Sequence, residues 1–166
     1  MGRTNFDTVR ADSFEIGSTA ITATAAEINN AADNSANVET VSATNVITAA
    51  ESGKTFFLSS ATEFVSTLPA PAAGLRFSFI VAAAPSGASY TIVTNASGNV
   101  IKGQVFSSDL NAASDGDFET SGGDTITFVD AKSVAGDRVD VISDGTTWFA
   151  QCFCSVFDAI TITTAS

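Results

Sequence analysis

From residue 55 onward, apolar side chains recur at every second position, which is the period of a β-strand and not of a helix. The clearest example is 75–81 (LRFSFIV), where one face of the predicted strand carries only large apolar residues. Separated by turn-rich segments, further strands are predicted at 90–94, 125–129, 138–143, 147–154 and 159–163. About eight to ten short strands without a long helical pattern indicate an all-β fold, a β-sandwich or barrel that is jelly-roll-like.

The turn at Asp144-Gly145 separates the predicted strands 138–143 and 147–154. An Asp-Gly pair suits the positive φ angles of a type I′ hairpin turn. The second strand places Trp148 on an apolar face, so we expect this side chain in the core. The alternative is an exposed platform on which a sugar could stack.

The first third of the chain differs in composition from the rest. Large apolar residues number 11 in residues 1–54 and 34 in residues 55–166, and 11 of the 13 phenylalanines lie in the second part. The first part is rich in Ala, Thr, Asn and Ser, so it cannot offset the entropy of folding with a core of its own. We therefore expect residues 1–54 to be an extended N-terminal arm and residues 55–166 to be a globular β-domain.

The arm carries one short predicted helix over 25–32, because Thr24 and Glu27 have the spacing of a capping box. A helix of this length does not persist alone, so it must pack against something else. We expect the arm to dock against another surface through its few large apolar side chains, Phe6, Phe14, Ile16, Ile21 and Ile28.

The charge of the chain excludes two classes of partner. Seven Lys and Arg stand against 18 Asp and Glu, which gives a formal net charge of −11. Nucleic acids and anionic membranes bind basic surfaces, so neither is expected as a partner.

The longest apolar run, 79–84, is far shorter than the roughly 18 residues of a transmembrane helix. The N-terminus lacks the apolar stretch of a secretory signal, so we expect synthesis in the cytoplasm.

Histidine is absent, which removes the commonest general base and the commonest metal ligand. Asp115, Asp117 and Glu119 alternate as calcium ligands do, but Thr120 and Ile126 stand where that motif needs Gly and Glu. The segment is interpreted as a solvated, turn-rich loop, with calcium binding left open. We expect no enzymatic activity, no cofactor and no metal site.

Cys152 and Cys154 are two residues apart in a predicted strand. Their side chains then point the same way, about 7 Å apart, which is too far for a disulfide. We expect both to be buried, apolar thiols.

Four segments carry a resemblance to a known group of proteins. TATAAEINNAAD (22–33) resembles the Thr-Ala-Thr-Ala-Ala-Glu-Leu-Asn repeats of tailed-bacteriophage fibres and structural proteins. VISDGTTWFAQ (141–151) resembles the Ser-Asp-Gly-Thr-x-Trp strand-turn-strand that ends many phage virion domains. Between them, LPAPAAGLRFSFIVAA and YTIVTNASGNVIKG are similar to the Leu-Pro…Gly…Phe-x-Phe…Ile-x-Gly pattern of the same domains.

The resemblance implies a tailed-bacteriophage virion structural protein, typically a trimer. A single TAAEIN unit in a short chain that starts with Met, which we expect to be complete, favours a capsid decoration (cement) protein over a long fibre. Its partners would be the major capsid protein and two further copies of itself, on the outer capsid surface, with the arm bound to the capsid or to a neighbouring subunit. Deletion of residues 2–50 is then expected to leave a folded trimer that no longer binds capsids. The alternative is a receptor- or glycan-binding tail fibre or spike module. A third, remote hypothesis is a small hydrolase of the host envelope.

Overall fold

The computed structural model describes residues 15–16, 18–32, 34–60, 62–109 and 116–164. The chain divides into two units, Met1–Asn34 and Ser35–Ser166, whereas the sequence predicts a boundary between residues 54 and 55. In the first unit, β1 (Glu15–Ile16) pairs antiparallel with β2 (Thr19–Ala20), and helix α1 follows at Ala25–Ala32.

The second unit is an all-β sandwich with two short 3₁₀ turns, Asn34–Asn37 at its start and Ala49–Glu51. Its strands, in chain order, are β3 (Val38–Val41), β4 (Asn45–Val46), β5 (Thr55–Leu58), β6 (Phe64–Thr67), β7 (Arg76–Val81), β8 (Tyr90–Val93), β9 (Ile101–Ser107), β10 (Gly116–Gly123), β11 (Thr125–Phe128), β12 (Arg138–Ser143), β13 (Trp148–Cys154) and β14 (Ile160–Thr163).

The strands form two mixed sheets. The seven-stranded sheet has the order β10-β9-β13-β12-β7-β5-β3, and the five-stranded sheet has the order β14-β11-β8-β6-β4. Five pairings are parallel, namely β9 with β13, β3 with β5, β5 with β7, β4 with β6, and β6 with β8. These pairings differ from the antiparallel Greek keys of which a jelly roll is built.

One apolar core lies between the two sheets, because each strand turns alternate side chains inward. Trp148 is fully buried there, with its ring centroid 5.8 Å from that of Phe77, so its predicted place in the core is confirmed. Phe64 stacks on Tyr90 at 4.4 Å, and the Tyr90 hydroxyl shares its one proton between the carbonyl oxygens of Ser60 and Ala83 and accepts a hydrogen bond from the Ser60 N–H. The buried phenol therefore keeps its polar end satisfied.

The segment 38–46, placed by the sequence analysis in the arm, belongs to the sandwich. β3 and β4 add to one edge of each sheet, and Val41 and Ile47 are 4% and 1% exposed. Removing both side chains would open the core. Deletion of residues 2–50, predicted to leave a folded trimer, would therefore remove two strands of the sandwich and part of its core, and the boundary between the two units favours a truncation near residue 34 instead.

Two further local predictions need correction. The stretch interpreted as a turn-rich loop contains β10, an eight-residue strand that pairs with β9 through a bulge between Glu119 and Gly123. The Asp144-Gly145 turn is not of type I′, since Ser143 pairs with Trp148 across a four-residue loop and Asp144 lacks a positive φ. The Asp144 carboxylate instead accepts hydrogen bonds from the loop backbone, which stabilises the longer turn.

Candidate functional site

The outward side of the seven-stranded sheet carries large apolar side chains beside cations. In β13 the inward residues are Trp148, Ala150, Cys152 and Cys154, so the strand period turns Phe149, Gln151 and Phe153 outward. The neighbouring strands β9, β12 and β7 continue these positions in register. We call this surface the aromatic–cationic face and define it by Phe106, Phe149, Phe153, Ile142, Arg76, Lys102 and Arg138.

One row of this face is held by ring contacts. Phe106 and Phe153 are paired across β9 and β13, and their rings stack with centroids 5.6 Å apart and an interplanar angle of 18°. The guanidinium carbon of Arg138 lies 5.6 Å from the centroid of the Phe153 ring, which is within the range of a cation–π contact. The three side chains therefore form one connected group on the surface.

A carboxylate fixes the cation of that row. Asp140 accepts hydrogen bonds from Arg138, from Nε at 3.1 Å and also from Nη2. Its other oxygen accepts a hydrogen bond from the Ser78 hydroxyl at 2.7 Å. Arg138 is thus oriented before any partner binds, and less side-chain entropy remains to be lost on contact.

A second row crosses four neighbouring strands. It consists of Lys102 on β9, Phe149 on β13, Ile142 on β12 and Arg76 on β7. Ile142 is 52% exposed and Phe149 is 45% exposed. Neither Lys102 nor Arg76 forms an ion pair within the described part of the chain.

Lys54, at the end of the same surface, differs because Glu39 and Glu51 accept its hydrogen bonds at 2.7 and 3.0 Å. These contacts, with that to Glu39 first, raise the pKa of Lys54.

The charge of the face is opposite to that of the chain. Arg76, Lys102 and Arg138 lie on it, and Asp140 is the one carboxylate among the described outward side chains of β9, β13, β12 and β7. The face therefore has a formal charge of +2, which leaves −13 for the rest of a chain whose total is −11. Arginine and aromatic residues are enriched where protein interfaces concentrate their binding energy.

A surface depression of about 470 Å³ lies between the second row and the end of β5. Apolar groups of Phe149 and Ile142 form part of its wall, and polar groups complete it. The polar lining side chains are Lys54, Arg76, Ser78, Asp140 and Gln151. This mixture can accept a side chain with an apolar stem and a polar or anionic end.

The arm residues predicted as contacts are only partly described. Ile28 is 47% exposed on α1, and Ile21 is half-buried. Ile16 falls in β1, where the backbone alone is described, and Phe6 and Phe14 lie outside the described residues. The structure therefore does not bring the five residues together into one site.

Helix α1 begins at the predicted capping box. Glu27 donates its backbone N–H to the Thr24 hydroxyl at 3.2 Å, and its carboxylate accepts the Thr24 backbone N–H at 2.7 Å. These hydrogen bonds, first that from the Thr24 backbone, lower the pKa of Glu27. Ile28 follows directly, so the cap sets where this exposed apolar side chain is presented.

The two cysteines are free and buried, as the sequence predicts. Burial raises the pKa of Cys152 to about 12 and also raises the pKa of Cys154. Thiols of this kind stay protonated near neutral pH and are poor nucleophiles and metal ligands.

Among the residues that the structure describes, no three acidic, Cys or His side chains cluster as metal ligands. Asp117 and Glu119 fall in β10, and Asp115 lies outside the described residues.

Within the described ranges, no α-helix has the length and apolar character required to cross a bilayer.

A comparison with protein-family models, curated proteins and solved structures finds no match to this chain. The face must therefore be interpreted from its own chemistry.

Sequence reasoning missed the aromatic–cationic face, although it noted that 11 of the 13 phenylalanines lie in residues 55–166. The signal was present in 147–154, since a strand that buries Trp148 must turn Phe149 and Phe153 outward. One strand alone does not show its neighbours, so the pairings of Arg138 with Phe153 and of Lys102 with Phe149 could not be predicted.

Proposed function

We propose that the protein is a non-enzymatic structural protein of a tailed-phage virion, a capsid decoration (cement) protein on the outer surface of the head. Its sandwich would associate as a homotrimer, and the N-terminal arm with helix α1 would bind the major capsid protein or a neighbouring subunit. The observation that carries this proposal is the aromatic–cationic face. It exposes three phenylalanines on a sandwich whose core is already complete without them.

The area of the face indicates how such a protein would bind. Phe106, Phe149 and Phe153 are 48%, 45% and 43% exposed. With about 150–250 Å² per aromatic side chain, they leave roughly 200–350 Å² in water, worth about 5–9 kcal/mol on full burial. Association itself costs about 4–15 kcal/mol, so this face alone gives weak binding. Linking several such faces and arms in one oligomer raises the effective concentration of each contact, which suits a decoration protein.

The acidic character of the remaining surface fits the same role. Many copies crowded on a shell stay soluble if their outer surfaces repel each other. Sandwich and arm are sufficient for this proposal, and it does not require the jelly-roll-like strand order.

The second candidate is a receptor- or glycan-binding tail fibre or spike module. It is favoured by the depression beside Phe149, where Gln151, Asp140 and Ser78 could hydrogen-bond sugar hydroxyls. The exposed aromatics lie along a sheet face. Such a module would be expected to carry them at one end of the molecule.

The test is carried out on phage particles that contain the protein. A decoration protein is expected on the head in many more copies than a tail could hold, as measured by quantitative mass spectrometry and cryo-electron microscopy. A tail location, or glycan binding by the isolated chain that a Phe149→Ala variant loses, would support the second candidate and contradict the first.

The arm's role is tested separately in the full chain by Ile21→Ser and Ile28→Ser. Both variants are expected to weaken binding to heads stripped of the protein, with the sandwich's thermal unfolding unchanged. The matched control is Val46→Ser, an exposed apolar side chain of the sandwich that is 72% exposed. Head binding that is unchanged by both arm variants would contradict the arm's part of the proposal.

A further inference from the structure

We propose that the aromatic–cationic face binds a carboxylate-bearing surface of a second copy of this chain, in a head-to-tail contact. The contact gives the proposed self-association a surface, and it rests on that part of the proposed function. It does not require that the protein be located on a phage head.

The charges of the chain select the partner. Arg76 and Lys102 stand at the two ends of the row that contains Phe149 and Ile142, and neither has a carboxylate partner within the described residues. A complementary surface must therefore offer carboxylates next to apolar groups. The rest of this chain carries a formal charge of −13, so another copy supplies carboxylate-rich surface at equal concentration.

The charge of the face disfavours a two-fold arrangement. In a two-fold contact the same patch lies on both sides of the interface. Two aromatic–cationic faces would then bring Arg76, Lys102 and Arg138 near the same cations of the other copy, and like charges are repelled. A head-to-tail contact places these cations against carboxylates instead. Contacts of this type close into a ring when the rotation between neighbours permits, and a trimer is one such ring.

The face is ordered before it binds. Phe153 is held between the stacked ring of Phe106 and the guanidinium of Arg138, and Asp140 holds that guanidinium. Phenylalanine on a strand also has few rotamers to lose. Binding therefore costs little side-chain entropy, which is the condition under which a small exposed patch contributes most.

The first experiment compares two charge reversals in the full chain by analytical ultracentrifugation. Lys102→Glu changes the face, and Lys132→Glu makes the same charge change in the β11–β12 loop. Both side chains are exposed, so both variants are expected to fold. We expect Lys102→Glu to weaken self-association by about tenfold or more and Lys132→Glu to leave it nearly unchanged. Equal effects of the two variants would overturn the proposal, because net charge alone would then explain them.

The second experiment removes apolar area without changing charge. Phe149→Ser is expected to convert the oligomer to monomer at micromolar concentration, whereas the control Val46→Ser is not. Circular dichroism and thermal unfolding of each variant show whether it is folded. An oligomer that survives both Phe149→Ser and Lys102→Glu in folded protein would overturn the proposal.

A third experiment identifies the atoms in contact. A carbodiimide joins a lysine amine to a carboxylate that it touches, and mixing ¹⁴N and ¹⁵N chains separates links between copies from links within one. We expect Lys102 to be linked to Asp or Glu residues of another copy. Links between copies that involve Lys132 and omit Lys102 would contradict the proposal.

The outcomes also separate this contact from the proposed virion role. If the chain is monomeric, yet binds heads and loses that binding in Lys102→Glu, the capsid protein is the occupant and the self-contact is overturned. If the chain forms a trimer that Lys102→Glu breaks, yet is absent from heads, the self-contact is supported and the decoration role is wrong.

Discussion

The Ser78 hydroxyl donates a hydrogen bond to the Asp140 carboxylate at 2.7 Å, across the pairing of β7 with β12. The same carboxylate orients Arg138 on the Phe153 ring, so the hydrogen bond from Ser78 helps to fix the position of this cation on the face. Removing either partner of this link should affect the other.

We expect Ser78→Ala to lower the free energy of unfolding by about 1 kcal/mol, because it removes a hydrogen bond to a charged, partly exposed group. Asp140→Ala is expected to lower it by more, because it also removes the hydrogen bonds from Arg138. The double variant should lose less than the sum, with a coupling of about 0.5–1 kcal/mol. Urea denaturation of the four proteins measures this. The control pair Ser78→Ala with Asp144→Ala shares no hydrogen bond and should be additive, and additivity in both pairs would contradict the link.

Substitutions of inward-facing and of outward-facing strand residues should differ in their effect on stability. Phe79→Ala is expected to lower the free energy of unfolding by about 3–5 kcal/mol, because the ring is fully buried and stacks on Phe56 at 5.2 Å. Phe149→Ala, at a position 45% exposed, is expected to cost less than about 1 kcal/mol. Denaturant midpoints at neutral pH measure both. A comparable cost at the two positions would show that Phe149 belongs to the core.

Glu51 should contribute to the acid sensitivity of the sandwich. Partial burial raises the pKa of this carboxyl, but hydrogen bonds from Thr48 and Lys54 outweigh it, and the pKa lies below 4.5. The unfolded chain then binds a proton before the folded chain does. Stability from Glu51 is therefore complete above about pH 4.5 and lost as the pH falls through the folded value.

We expect Glu51→Gln to reduce the loss of stability between neutral pH and acidic pH, as measured by urea midpoints. Glu63→Gln removes the same charge from an exposed position between β5 and β6 and serves as the control. A steeper loss in Glu51→Gln than in the native chain would contradict the sign of the effect.

The cysteines should be unreactive in the folded protein. Burial raises the pKa of Cys152 to about 12, so the reactive thiolate is nearly absent at pH 8. We expect iodoacetamide to leave Cys152 unmodified at that pH and to modify both cysteines once the chain is denatured, as read by mass spectrometry. Rapid alkylation of native Cys152 would show that the strand opens on the timescale of the reaction.

The strands could be predicted from the sequence because successive side chains of a strand face the apolar core and the solvent in turn. Strands β7, β8, β11, β12, β13 and β14 lie within a residue or two of their predicted positions. β10 was not readable, since its glycines and acidic residues favour turns locally and the pairing with β9 overrides them. Parallel pairings join residues distant in the chain, and no local pattern reports them.

The same limit applied to the candidate site. Outward Phe149 could be inferred from inward Trp148, but the row from Lys102 to Arg76 exists only after four strands are in register. The edge strands β3 and β4 were likewise assigned to the arm, because a segment poor in large apolar residues offers few signs that Val41 and Ile47 are buried.

β3 and β4 are joined by three residues, and each is the edge strand of a different sheet. One short stretch of chain therefore covers the edge of β5 in one sheet and the edge of β6 in the other. A protease that cut after this stretch and released it would uncover the backbone edges of β5 and β6 together. Unprotected edges pair with other chains. The clipped protein should therefore precipitate, which makes aggregation after limited digestion a simple indicator of whether the stretch stays in place.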